Sequence, residues 1–64
     1  MSEKQKIIEE QIDSLRYKQA EYEEYAQKEA KRERYDAACE YQYLSKGIGI
    51  AIEKLTNNKR EAAQ

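Results

Sequence analysis

The residues whose types could do covalent or acid–base chemistry are one thiol, Cys39, and several closely spaced carboxylates, among them Glu23 with Glu24 and Glu9 with Asp13. Neither set is equipped to work. A thiol acts as a nucleophile when a neighbouring base draws off its proton, and the chain contains no histidine to serve as that base. A carboxylate needs burial or a charged partner to bring its pKa into a useful range, whereas pairs such as these are what a solvated helix face looks like. The same lack of histidine removes Glu-x-x-His metal motifs, and a single cysteine is too little for a structural zinc site. The expectation is a non-enzymatic protein with no catalytic residues, cofactor or metal. Several copies assembling a shared carboxylate site is the one route left open to chemistry.

Phosphate contact is the other chemistry to weigh. Lys28, Lys31, Arg32 and Arg34 form a basic knuckle next to Tyr35, but Glu29, Glu33 and Asp36 are interleaved and would repel a nucleic-acid backbone. Twelve basic residues against thirteen acidic ones leave a formal charge of −1, unlike the net positive charge of most nucleic-acid binders. Sixty-four residues make one small domain with a limited core, which ordinarily needs a disulfide, a metal or a partner. With the first two removed, a partner or a second copy remains. The opening MSEKQKIIEE has no hydrophobic run of signal-peptide length, and no segment suits a membrane span. These features, with a free thiol, lead us to expect a cytoplasmic protein.

The positioning elements are helices. Glu, Lys, Ala, Gln and Arg dominate and proline is absent. Ser2 followed by Gln5 has the spacing of a capping box, which starts helix 1 near residue 3. At about 100° per residue, Ile8, Ile12, Leu15, Gln19, Tyr22, Ala26 and Ala30 form a stripe about 80° wide. In the second half, Ala38, Tyr41, Ser45, Ile48, Ile52 and Leu55 step by three and four like a coiled-coil seam, with Ala37, Leu44 and Ala51 on the same face.

The segment KRERYDAACEYQ, residues 31–42, decides between one long helix and two. Lys28, Lys31 and Arg32 precede Asp36 and Glu40. Cations suit the carbonyl end of one helix, and anions suit the N–H end of the next. Folding back about residue 33 also sets Ala30 near Ala37, Tyr22 near Leu44, Leu15 near Ile52 and Ile12 near Leu55. The expected fold is all-α: an antiparallel two-helix hairpin that pairs into a dimeric four-helix bundle. Its helix 1 spans about 3–32, the corner about 32–35 and helix 2 about 35–57. Asn57 or Asn58 would be the stop, before a frayed tail at 58–64. A domain-swapped arrangement stays open at this stage.

Ala30, Tyr35, Ala38, Cys39 and Tyr41 occupy the small, aromatic, small, small and large apolar places of a pattern that resembles the UVR motif, a helical hairpin of bacterial excision-repair proteins and chaperone-associated adaptors. The resemblance covers about 35 residues and implies a corner just before Tyr35. The family's Arg-Asp pair is Gln42-Tyr43 here and its later apolar place is Ser45, so the geometry carries over without the family's partner contacts. The chain also looks like short helical-hairpin proteins encoded by bacteriophages. That likeness implies an inhibitor of a host bacterial enzyme or defence complex.

Helix 2 carries a second apolar strip. With Ile48 at the centre of the core face, Cys39, Tyr43 and Ile50 point to the opposite side, and Gly47 and Gly49 flank the core face. Six tyrosines with no Phe or Trp add contact material: Tyr22 and Tyr41 fit the core, while Tyr17 and Tyr43 point away. The expected partner or dimer interface is therefore Cys39, Tyr43, Gly47, Ile50 and Tyr17. The expected core is Ile8, Ile12, Leu15, Tyr22, Ala26, Ala38, Tyr41, Leu44, Ile48, Ile52 and Leu55. The function that follows is a protein-binding module, an adaptor or inhibitor occupying a partner surface. A self-assembling accessory hairpin is the first alternative, and a nucleic-acid-associated protein using the basic corner is the second.

Overall fold

A computed structural model of the chain describes residues 2–62. Two helices account for nearly all of it: α1, Glu3–Lys31, and α2, Tyr35–Ala62. They lie antiparallel, as the Lys59 ammonium on the Glu9 carboxylate and the Gln19 side chain on Ser45 require. The hairpin measures 48 × 14 × 9 Å, which is one helix thick. Its radius of gyration, 14.7 Å, exceeds the roughly 11 Å of a compact chain of this length.

Both ends of α1 follow from local chemistry. The Gln5 amide donates to Ser2 Oγ at 3.2 Å, and the Ser2 amide donates to Gln5 Oε1 at 3.1 Å, completing the capping box. At the corner, the Glu33 amide donates to the Ala30 carbonyl at 3.0 Å and the Arg34 amide donates to the Glu29 carbonyl at 2.9 Å. That pair of bonds is a Schellman motif, which requires a left-handed residue just past the helix. Glu33 fills the place with φ of 63°. Glycine is the usual occupant because a Cβ is strained there. Glu33→Gly is therefore expected to raise stability by about 0.5–1 kcal/mol, or several degrees in thermal midpoint by circular dichroism. An unchanged or lower midpoint would mean that the Glu33 side chain offsets its own backbone strain.

α2 starts where the charge reversal places it, at Tyr35. Its far end differs from expectation. The helix runs through Asn57 and Asn58 to Ala62 instead of stopping near residue 57. Asparagine ends a helix only when it adopts the left-handed conformation. Here the following turn is held by Lys59 reaching across to Glu9. Residues 63 and 64 of the expected frayed tail lie outside the described residues.

Between the helices the register is regular. Gln19 Nε2 donates to the Ser45 carbonyl at 3.2 Å. Seven residues from that contact in one direction, Ala26 comes level with Ala38; seven in the other, Ile12 comes level with Ile52. Ile8, Ile12, Ala26, Ala38 and Ser45 are the buried side chains. Leu15, Tyr22, Tyr41, Ile48, Ile52 and Leu55 are only partly covered, and among the described residues no large side chain is fully buried. Leu44 corrects the expected core: it is 49% exposed, and Tyr22 meets Tyr41 instead. Two helices cover only the line along which they touch. Leu44 sits about 80° around α2 from that line, so one neighbour cannot bury it.

Candidate functional site

A slab one helix thick has two broad faces and two outer edges, and their chemistry differs. On one broad face the helices are joined by polar contacts. Besides Gln19 on Ser45, the Ser45 hydroxyl donates to Glu23 Oε1 at 3.3 Å, and Lys59 pairs with Glu9. Among the described residues no buried side-chain polar atom is left without a partner.

The opposite broad face is open and largely apolar, with Lys18 at the middle of its α1 side. Tyr22 and Tyr41 stack with ring centroids 6.0 Å apart, and Tyr25 leans on Tyr41 at 5.4 Å. Toward the free ends, Ile7, Leu15 and Leu55 line a shallow groove with Gln11 and Ser14. Leu44, Ile48 and Ala51 project to the same side of α2, between the tyrosines and the groove. Ile7 is 51% exposed, and Tyr25 and Leu44 are exposed as well. The Tyr25 hydroxyl donates to Glu21 Oε1 at 3.0 Å, and that bond together with the charge of Glu21 raises the phenol's pKa above the ordinary tyrosine value. This broad face is the feature that the sequence reading missed. Ile7 falls outside the α1 stripe, and Leu44 and Ala51 look like core until the helices are seen to touch along a narrow line.

The expected interface residues are exposed but are not all together. Cys39 and Tyr43 share a shallow depression with Gln42 and Lys46 on the outer edge of α2. Ile50, 56% exposed, continues that edge two turns on. Tyr17, 76% exposed, stands on the outer edge of α1, across the full width of the slab. The two glycines also part company. A Cβ on Gly47 would meet nothing within 4 Å, whereas one on Gly49 would stand 3.0 Å from Gln19 Nε2. Gly49 therefore belongs to the contact between the helices and Gly47 to the open surface.

The basic corner is largely neutralised within the chain. Arg32 and Arg34 both reach the Glu29 carboxylate, at 3.6 and 3.7 Å, and Lys28 lies 3.2 Å from Glu24. Cations held by their own carboxylates are poorly placed to displace counterions from a phosphate backbone. Among the described residues there is no group of three or more Cys, Asp or Glu arranged to hold a metal ion, and no helix is long and apolar enough to cross a membrane.

No family model, curated protein or solved structure matches the chain. Its function has to be argued from its own surfaces.

Proposed function

We propose that this chain is a non-enzymatic protein-binding module, a small adaptor or inhibitor that works by occupying a surface of a larger protein. The observation that carries the reading is the outer edge of α2. Tyr43 (74% exposed), Ile50 and Cys39 stand on one side of a helix whose inner side already packs on α1. Tyrosine beside an aliphatic residue on a preformed helix is good contact material. It buries a large area, keeps a hydroxyl for hydrogen bonding and loses little side-chain entropy. The α1 partner is already in place, so a protein docking there would meet a fixed surface.

The experiment is cross-linking from the edge itself. A photoreactive group at position 43 should join one protein, in stoichiometric yield, in bacterial lysate. Ile50→Glu should abolish that product while leaving helicity unchanged, because Ile50 is exposed in the hairpin. Cross-linking that is diffuse, or indifferent to Ile50→Glu, would count against the edge as a binding surface. A product joining only two copies of the chain would favour the self-assembling accessory reading.

A further inference from the structure

We infer that the apolar broad face is the seat of a second copy of this chain, stacked face to face with both corners at the same end to give a four-helix bundle. Area is the first argument. The hairpin exposes 5242 Å², whereas a compact protein of 7.6 kDa exposes about 4,300 Å². The surplus of about 900 Å² matches the roughly 800 Å² that each partner contributes to a standard protein–protein interface. Chemistry places the surplus. One broad face carries the hydrogen bonds and the ion pair that tie the helices, and the other presents Ile7, Tyr25 and Leu44 among half-covered Tyr22, Tyr41 and Ile48.

Charge around that face argues for a copy of the same chain. Exposed charged side chains rim it: Glu10 and Lys28 along α1, and Asp36, Glu40 and Lys54 along α2. A two-fold axis running along the helices lays α1 over α2 of the second copy without shifting residues along the bundle. In the hairpin register, Glu10 then comes beside Lys54 of the second copy, and Lys28, still exposed beside its own Glu24, comes beside Asp36 with Glu40 one turn on. Each rim acid thus meets a base, as at the flanking positions of a coiled coil. Lys18, at the middle of the face on α1, selects this orientation over its reverse. With corners at opposite ends, α1 would lie on α1 and the two Lys18 ammoniums would approach each other at the axis. With corners together, Lys18 lies near Ile48 of the other copy and its stem can run outward to water.

The bundle also reunites the divided edge residues. Tyr17 on the outside of α1 comes within about one turn of Tyr43 and Ile50 on the outside of the second copy's α2. Each of the two equivalent edges is then built from both chains. The dimer itself does not depend on those edges having a further partner.

The test is mass in solution by sedimentation equilibrium, with three variants of the full chain. The unaltered chain should be dimeric at about 10 μM and above. Leu44→Glu, a change at a side chain already exposed in the hairpin, should leave a helical monomer or abolish folding with the dimer. Ile50→Glu should stay dimeric, which separates this proposal from the binding edge. Glu10→Lys should weaken the dimer about three- to tenfold, and Glu10→Lys with Lys54→Glu should restore it. A monomer for the unaltered chain at every concentration would overturn the proposal. So would a dimer that survives Leu44→Glu but is lost with Ile50→Glu. A double charge reversal weaker than the single one would overturn the corner-to-corner orientation, because the reversed bundle pairs Glu10 with Lys28.

Discussion

Ile12→Ala should lower the unfolding free energy by about 2–4 kcal/mol, the usual cost of truncating a buried aliphatic side chain. Ile12 is the most deeply covered large side chain, at 5% exposure, and it stands level with Ile52 across the hairpin. Its removal would leave a gap that a single layer cannot close without drawing the helices together. For a domain of this size each kcal/mol moves the thermal midpoint by about 4–8 °C, so a fall of at least about 8 °C is expected by circular dichroism. The comparison needs equal protein concentrations, since assembly adds to apparent stability. A fall of only a degree or two would show that Ile12 is not where the hairpin holds itself together.

Ala38→Leu should cost about 1–3 kcal/mol for the opposite reason, too much volume rather than too little. Ala26 and Ala38 are both buried and stand level with each other, so the helices approach near the corner over two small side chains. Three extra carbons would have to push the helices apart or turn out of the contact. Tyr41 lies one turn beyond Ala38 and stacks on Tyr22, so the tyrosine bands of the near-ultraviolet circular dichroism should change along with the urea midpoint. If Ala38→Leu unfolds at the same urea concentration as the parent and keeps the same tyrosine bands, the corner is looser than its small residues imply.

The parts of the fold that were legible in the sequence rest on local physics. The Ser2–Gln5 capping box, the reversal of charge from Lys31 and Arg32 to Asp36, and the buried step at Ser45 all express rules that act within a turn or two. Glu33 was not legible as the left-handed residue, because nothing in a run of charged residues marks which one takes positive φ. The end of α2 failed for a related reason. Asn57 and Asn58 can end a helix, but the tie between Lys59 and Glu9 is a long-range contact that no local pattern reveals. In the candidate site, the exposure of Cys39, Tyr43 and Ile50 followed from helical phase. Placing Tyr17 on the opposite edge and Leu44 on an open face required knowing how narrow the line of contact between the helices is.

The tie between Lys59 and Glu9 joins positions separated by 50 residues, while the corner bonds join neighbours. A single hairpin 9 Å thick has no centre of its own from which protection against exchange can fall off toward a surface. Order is instead graded along the 48 Å axis. Loop-closure entropy favours the turn at Glu33 and rises slowly with each contact added toward the free ends. The chain therefore closes like a zipper from Glu33 outward, and its amides should exchange with solvent first at the Lys59 end and last beside Ala26 and Ala38.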